Sequence, residues 1–311
     1  MKILVTGGAG FIGSHVAEAF MREGHRVIVV DDLSSGRADN LPQGVRLEVM
    51  DIRSEQVADL IAREQPEVLC HHAAQMDVRR SVADPQFDAS VNILGLLNLL
   101  EAGRRNGLKR VLFASTGGAI YGEQQVFPCP ETHPTNPVSP YGVAKLASEK
   151  YLHFYAEAYG IRWTALRYAN VYGPRQNPHG EAGVVAIFTE KLLRGEQPVI
   201  NGDGKQTRDY VYVGDLVRAN ILALQSDYCG PLNLGTGRET DVNTLFHLLC
   251  RACGVERPEV HGPAKPGEQR RSSIDSTLAA QVLGWRPEVA LEDGLRRTVE
   301  YFRSRLQHPG A

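Results

Sequence analysis

Two residues four apart carry the most pointed chemistry in this chain: Tyr141 and Lys145, in Ser139-Pro140-Tyr141-Gly142-Val143-Ala144-Lys145. Ser139 suits a helix N-cap and Pro140 a first helical position. Tyr141 then falls in the first turn, with Lys145 one turn later on the same face. A phenol ordinarily titrates at about 10. Nearby positive charge favours the phenolate, and both the Lys145 ammonium and the helix N-terminus supply it. Tyr141 is therefore a candidate general base for an alcohol proton. The plainer alternative is an i,i+4 packing pair. Upstream, with Thr116 25 residues before Tyr141, the hydroxyls Ser115 and Thr116 end the apolar run KRVLFAS (109–115) and lead into Gly117-Gly118. A hydroxyl there can share the substrate oxygen that Tyr141 deprotonates. Thr116 is the first candidate and Ser115 the second; either could instead cap the strand end.

A nucleotide site is suggested by TGGAGFIGSH (6–15), which contains Gly8-x-Gly10-x-x-Gly13 and Gly7-x-x-Gly10-x-x-Gly13. It lies between an apolar run and an amphipathic stretch, the strand–turn–helix context that gives such a motif meaning. Glycines allow the sharp turn and the close approach of a pyrophosphate, while the helix N-terminus, with Phe11 and Ile12 in its first turn, favours the anion. Asp31 ends the next apolar run, 18 residues beyond Gly13. A carboxylate there can hold the two ribose hydroxyls and would repel a 2′-phosphate, so NAD is expected rather than NADP. The oxidised nicotinamide ring would add a third positive field at Tyr141. Asp51-Ile52 is a further candidate, for the adenine, or else a strand-end cap.

The elements that must position these groups alternate. KILVT (2–6), RVIVVDD (26–32), RLEVMDI (46–52), EVLCHHAA (67–74), KRVLFAS (109–115) and RWTALRYANVYG (162–173) read as strands. Unalternating apolar runs suit parallel strands covered on both faces. Helical patterns span 85–105 and 140–159, the latter stopping at Gly160. Strands and helices in this rhythm predict an α/β fold: a doubly wound parallel sheet of the Rossmann type, with a smaller mixed α/β C-terminal lobe for the substrate. The expected division is 1–173, with 209–235 returning to it, and 174–208 plus 236–311.

Composition bounds the rest. The 311 residues are 42% hydrophobic and 23% charged, with 34 basic and 36 acidic side chains. That is ordinary for a soluble protein with a large core. No basic excess recommends nucleic acid as a partner, and no apolar run reaches membrane-spanning length. The start MKILVTGG enters a strand at once, without a signal-peptide layout. Five scattered cysteines point to a reducing cytoplasm. Cys250-x-x-Cys253, with His247 and His261 near it, could be read as a metal site. Its helical apolar spacing favours a packed helix, and no metal is expected.

Taken in order, TGGAGFIG (6–13), Asp31, HHAA (71–74), ASTGGAIYGE (114–123), YGVAK (141–145), LRYANVYGPRQ (166–176) and GDGKQTRDYVYVGDL (202–216) make the chain resemble the extended short-chain dehydrogenase/reductases over essentially its whole length. The nearest likeness is to the nucleotide-sugar 4-epimerases among them. The resemblance implies a tightly held NAD, reduced and reoxidised in each cycle, and exchange of UDP-glucose and UDP-galactose through a 4-keto sugar that turns over in the site. Tyr141 would take the 4-hydroxyl proton, and Lys145 would also bind the nicotinamide ribose. Asn92 and Tyr168 would stand near the cofactor, with His72, Ala73 and Ala74 on its phosphate side. For the UDP, Asn170 and Arg208 match diphosphate contacts, Lys265 stands where relatives carry arginine, and Glu268 matches a ribose ligand. Gly183-Val184 and Val199-Ile200 would flank the uracil. Met76 replaces a phosphate-side lysine. Ser272 aligns with a gatekeeper of the sugar pocket, and its small size would admit N-acetylated UDP-hexoses. The resemblance also implies a homodimer through helices 85–105 and 140–159.

Four rivals remain. A 4,6-dehydratase or a decarboxylase would need carboxylates where Gly117-Gly118 stand. A UDP-glucuronate 4-epimerase would need a cation for the extra carboxylate, such as Arg79 or Arg80. A non-catalytic nucleotide-sensing protein would have no use for an intact Thr116, Tyr141 and Lys145.

Overall fold

The computed structural model of the chain describes residues 1–179, 183–265 and 269–307. Its centre is a seven-stranded sheet. In chain order the strands are β1 (Lys2–Thr6), β2 (Arg26–Asp31), β3 (Arg46–Val49), β4 (Val68–His71), β5 (Arg110–Thr116), β6 (Arg162–Tyr168) and β7 (Gly230–Leu234). They lie in the order β7-β6-β5-β4-β1-β2-β3, and every pairing is parallel. The chain thus winds outward in both directions from β1 and β4, and the doubly wound α/β fold expected from the sequence is the fold observed. Continuous apolar runs follow from coverage on both faces. Ile3 and Val5 join a core on one side, with Val16 and Phe20 of helix α1 (Phe11–Arg22). Leu4 joins the other, with Leu60 of α2 (Glu55–Glu64) and Leu99 of α3 (Gly95–Arg105).

Helix α4 (Pro140–Tyr159) has the expected bounds: the Ser139 hydroxyl accepts from the Gly142 N–H at 3.2 Å, and Gly160 closes it in the left-handed conformation. Some boundaries differ from the sequence reading. The third and fourth strands stop at Val49 and His71, so Asp51, Ile52 and His72–Ala74 lie in the loops beyond them. The run 162–173 divides at Ala169. Asn170–Tyr172 leaves the main sheet and pairs instead with Tyr210–Tyr212, its Asn170 N–H donating to the Asp209 carbonyl at 2.9 Å. The helix expected over 85–105 is Pro85–Ala89, a wide π turn Ser90–Leu94, and α3. Such turns break the regular ladder to re-aim a side chain, here Asn92.

The smaller lobe has its own core, built by α5 (Val184–Leu193), α7 (Val242–Cys253) and α8 (Leu291–Gln307) with Tyr172 and Tyr210. Between α5 and α7 the chain returns to the sheet as α6 (Val213–Gln225) and β7. Cys250 and Cys253 are buried in the lobe core on α7, while His247 and His261 both turn to Glu259, at 2.6 and 3.1 Å. Among the described residues no helix is long and apolar enough to cross a membrane.

One late segment goes back to the larger body. Ala279, Leu283 and Trp285 pack into the core beneath α1 and α6, although the sequence division assigns 236–311 to the small lobe. Amphipathic spacing tells that a helix has a buried face but not which core receives it. Trp285 is fully buried, and its indole N–H donates to the Asp215 carbonyl at 2.8 Å. Trp285→Ala should cost about 3–5 kcal/mol, measured as a lowered urea midpoint and a Tm several degrees down; a change within error would mean that this return adds little to the sheet's core.

Candidate active site at the carboxyl ends of the strands

In a doubly wound sheet the strand ends meet at a crevice where the order reverses, here between β1 and β4. On one side Gly7 follows β1 with φ +66°. A Cβ there would lie 2.5 Å from the Ala73 nitrogen, so the backbone contact between the glycine turn and the β4 exit excludes any side chain. Gly10 begins α1, and no side chain caps that end. Gly13 packs against the Gly7 carbonyl more closely than any side chain permits. Asp31 is buried at the end of β2; Oδ2 accepts from the Ala9 N–H and Oδ1 from the Leu33 N–H, each at 2.9 Å. Each oxygen keeps a lone pair for a ribose hydroxyl, and Gly36 passes so close that a Cβ would sit 2.7 Å from Oδ1. An uncapped helix start, glycines whose side chains would close the turn and an anchored carboxylate fit a dinucleotide.

Asp51 is turned differently. Its carboxylate accepts from the Arg53 guanidinium at 2.5 Å, and Ile52 is buried against Gly95. Both have structural occupations in this chain. On the β4 side, His72 Nε2 lies 3.3 Å from the Tyr168 hydroxyl, which accepts from the Asn220 amide at 2.9 Å. Burial pushes the His72 imidazole down to about 3, so it is neutral. Ala73 and Ala74 continue the exit, and Met76 is exposed. Asn92 is brought inward by the π turn. Its amide donates to the Gln75 carbonyl and to Asp88 Oδ1, each at 2.9 Å, and its oxygen accepts from the Gln75 N–H at 3.0 Å. Its side chain thus pins the β4 exit loop.

Strand β5 delivers Thr116 and Ser115 opposite Tyr168 and Arg167 of β6. The two hydroxyls part company because successive side chains point to opposite faces. Ser115 is buried and donates to Glu149 Oε1 at 2.6 Å. It supports α4 rather than facing a ligand, which corrects its candidacy as a reactive hydroxyl. Thr116 Oγ1 accepts from the Ala119 N–H at 3.2 Å, which leaves its own proton to give. Lys145 is buried, donates from Nζ to the Ala114 carbonyl at 2.9 Å, and lies 5.8 Å from the centre of the Tyr141 ring. Lys145 thus stands near the Tyr141 ring and against the strand that ends at Thr116.

The electrostatics depart from the simple expectation. Burial, and then the Asp88 carboxylate, push the Tyr141 phenol up rather than down. Burial also lowers Lys145 to about 8, against the pull of Asp88 and Glu149. Desolvation penalises each charged form. The sequence reading missed this carboxylate pair. Glu149 is one turn beyond Lys145, and Arg167 is a lone cation inside an apolar strand; both signals were legible. Glu149 and Arg167 form a buried ion pair at 2.6 and 3.0 Å. Arg167 also donates to the Tyr121 hydroxyl at 2.8 Å, and Tyr121 to Asn233 Oδ1 on β7 at 2.6 Å.

The groups expected to hold a nucleotide sugar are more scattered. Asn170 stands half-buried just past β6. Arg208, half-buried, donates to the Thr207 carbonyl at 2.7 Å. Gly183 and Val184 open α5, and Val199 is exposed. Ile200 is fully buried in the small-lobe core, so its side chain packs there and offers nothing to a uracil. Lys265 is exposed and Ser272 buried; Glu268 lies outside the described residues. Arg80 stacks over the Phe87 ring at 4.1 Å. Gly117 and Gly118 follow Thr116 with no carboxylate between them and Ala119. Arg167→Ala, which strands the buried Glu149 charge, should destabilise by about 3–5 kcal/mol, and the double replacement of Arg167 and Glu149 by methionine by less; urea unfolding of the two variants checks the order.

Known proteins resemble the chain over almost its whole length. The model of the NAD dependent epimerase/dehydratase family matches residues 3–235. The UDP-glucose 4-epimerase of Mycolicibacterium smegmatis is 46% identical over 314 aligned residues, covering 99% of this chain and all of the relative. The crystal structure of a UDP-glucose 4-epimerase with UDP-glucose from Thermotoga maritima superposes with a TM-score of 0.96 at 52% identity, covering 98% of this chain and 100% of that one. A Thermus thermophilus UDP-glucose 4-epimerase in complex with NAD gives a TM-score of 0.92 at 46% identity, over 97% and 99% of the two chains. The chain belongs to the NAD dependent epimerase/dehydratase family.

Proposed function

We propose that this chain is an enzyme that interconverts UDP-glucose and UDP-galactose by inverting carbon 4 of the sugar. The reading is supported by Lys145 standing 5.8 Å from the Tyr141 ring and bonded to Ala114 on the strand that ends at Thr116, by an uncapped glycine turn before α1, and by a Gly117-Gly118 turn without an acid. NAD, when bound, supplies the acceptor and later the donor of a hydride at carbon 4. Gly7, Gly10 and Gly13 with the start of α1 would take its pyrophosphate, and Asp31 a ribose. Tyr141 takes the proton of the 4-hydroxyl as the carbon is oxidised and gives it back as the carbon is reduced. Thr116 directs its hydroxyl proton at the same oxygen. Lys145 keeps positive charge beside the phenol at neutral pH, since its pKa stays at about 8 despite burial. Asn170 and Arg208 are the diphosphate contacts in this reading. The absence of a carboxylate in the 117–118 turn disfavours elimination, because that turn offers no base to take a proton from carbon.

Ser272 supports a wider substrate range. It is small and buried, and it precedes the segment whose Ile274 packs on Gly117. A sugar 2-acetamido group would find no large side chain at that position, and side-by-side turnover of UDP-galactose and UDP-N-acetylgalactosamine measures the preference.

A second copy of the chain is the partner we infer for the outer face of the helices. Leu94 (59% exposed), Val143 (51%) and Phe154 (52%) stand exposed there, with Tyr151 and Tyr159 beside them. Exposed apolar patches of this kind mark association surfaces. Leu94→Asp with Phe154→Asp should yield a monomer by sedimentation velocity; a monomeric wild type would end the inference.

The central test is direct. Purified protein incubated with UDP-galactose and no added NAD should release UDP-glucose, and absence of product with bound NAD present would overturn the function. Tyr141→Phe should lower kcat by about 10²–10⁴-fold while UDP still binds by calorimetry.

A further inference from the structure

We propose that Gly118 is a positioning residue: its missing side chain is the space through which the keto sugar turns between oxidation and re-reduction. The inference rests on the UDP-hexose reading above and names the residue that makes the turn possible.

The two adjacent glycines stand in different surroundings. A Cβ on Gly117 would lie 2.6 Å from Ile274 Cδ1 and 3.1 Å from its Cγ2, so packing alone demands glycine there. Gly118 has no such reason. A Cβ built on it meets nothing nearer than Thr116 Oγ1 at 3.9 Å and Asn170 Oδ1 at 4.0 Å. Its φ is not among the positive values of the chain, so an alanine fits the backbone. Glycine in such a position enlarges the unfolded ensemble and costs stability. The folded chain gains nothing in return.

What the vacancy adjoins gives it a use. Thr116 ends β5 and Asn170 follows β6, and a Cβ on Gly118 would lie between their polar side-chain atoms, just in contact with both. In the reading above, Thr116 meets the oxygen on carbon 4, while Asn170 meets the diphosphate beyond carbon 1. These are opposite ends of a hexose ring, so the ring spans the gap that Gly118 floors. Inversion requires carbon 4 to present first one face and then the other to the same acceptor. The diphosphate stays fixed, and the ring swings about its bonds to it. The ring's edge then sweeps the floor. A methyl group at 118 leaves the starting pose free and obstructs the sweep.

The test compares wild type with Gly118→Ala and Gly118→Val. Calorimetric binding of UDP and Tm report on the fold. Ketose held on the enzyme is counted by quenching with borodeuteride and reading deuterium at carbon 4, both in a single turnover and at steady state. For Gly118→Ala we expect a Tm at or above wild type and UDP binding and ketose formation within about twofold. Steady-state turnover should fall about tenfold, further for Gly118→Val, with the steady-state fraction of ketose rising. Turnover within about twofold of wild type in both variants, or ketose formation slowed as much as turnover, would overturn the inference. Wild type that does not interconvert the UDP-sugars overturns the proposed function itself, whereas active wild type with indifferent variants removes only the role of Gly118.

Discussion

The buried ion pair between Glu149 and Arg167 is the interaction on which the arrangement of the reactive groups depends. Apolar packing holds α4 against the sheet, but dispersion and burial are non-directional and tolerate a helix that slides or rolls. Hydrogen bonds to buried charges do not, because a displaced carboxylate loses the donors that replace its water. Glu149 takes two donors from Arg167 on β6 and one from Ser115 on β5. One turn earlier, Lys145 donates to the Ala114 carbonyl. Two successive residues of β5 are therefore tied to two successive turns of α4. That double tie sets the rotation of the helix, and with it the side on which Tyr141 and Lys145 stand.

The network extends beyond the helix. Arg167 reaches Tyr121, Tyr121 reaches Asn233 on β7, and the Asn233 amide reaches the Cys129 carbonyl at 3.0 Å. The strand that enters the sheet last is thereby coupled to the loop that follows the reactive hydroxyl. Burial dominates the electrostatics within this frame. It neutralises His72, lowers Lys145 and raises Tyr141, each against its charged form. The Tyr141 phenol is accordingly held protonated.

The two lobes are joined by polar ties as well as by chain. His15 on α1 donates from Nε2 to the Pro174 carbonyl at 2.9 Å, and Arg175 pairs with Glu18 at 2.7 Å. The loop leaving β6 toward the smaller lobe is thus fastened to α1.

The amino-acid sequence by itself determined the alternation of strands and helices, the glycine turn with Asp31, and the Tyr141–Lys145 spacing. Each is a local pattern: apolar runs, caps and residues one helical turn apart carry their geometry with them. The bounds of α4 were legible for that reason. What only the tertiary structure decided depends on residues far apart in sequence. That Ser115 and not Thr116 is taken up by Glu149 follows from the register of β5 against α4. Ile200 looked like a pocket residue and is core, because the small lobe closes over it. Asn92 proved to be a brace for the β4 exit, since the π turn aims it at Gln75. The segment around Trp285 returned to the sheet although its spacing carries no address. Long-range pairing and burial choose among faces that local pattern leaves equivalent, and the site's charges take their direction from that burial.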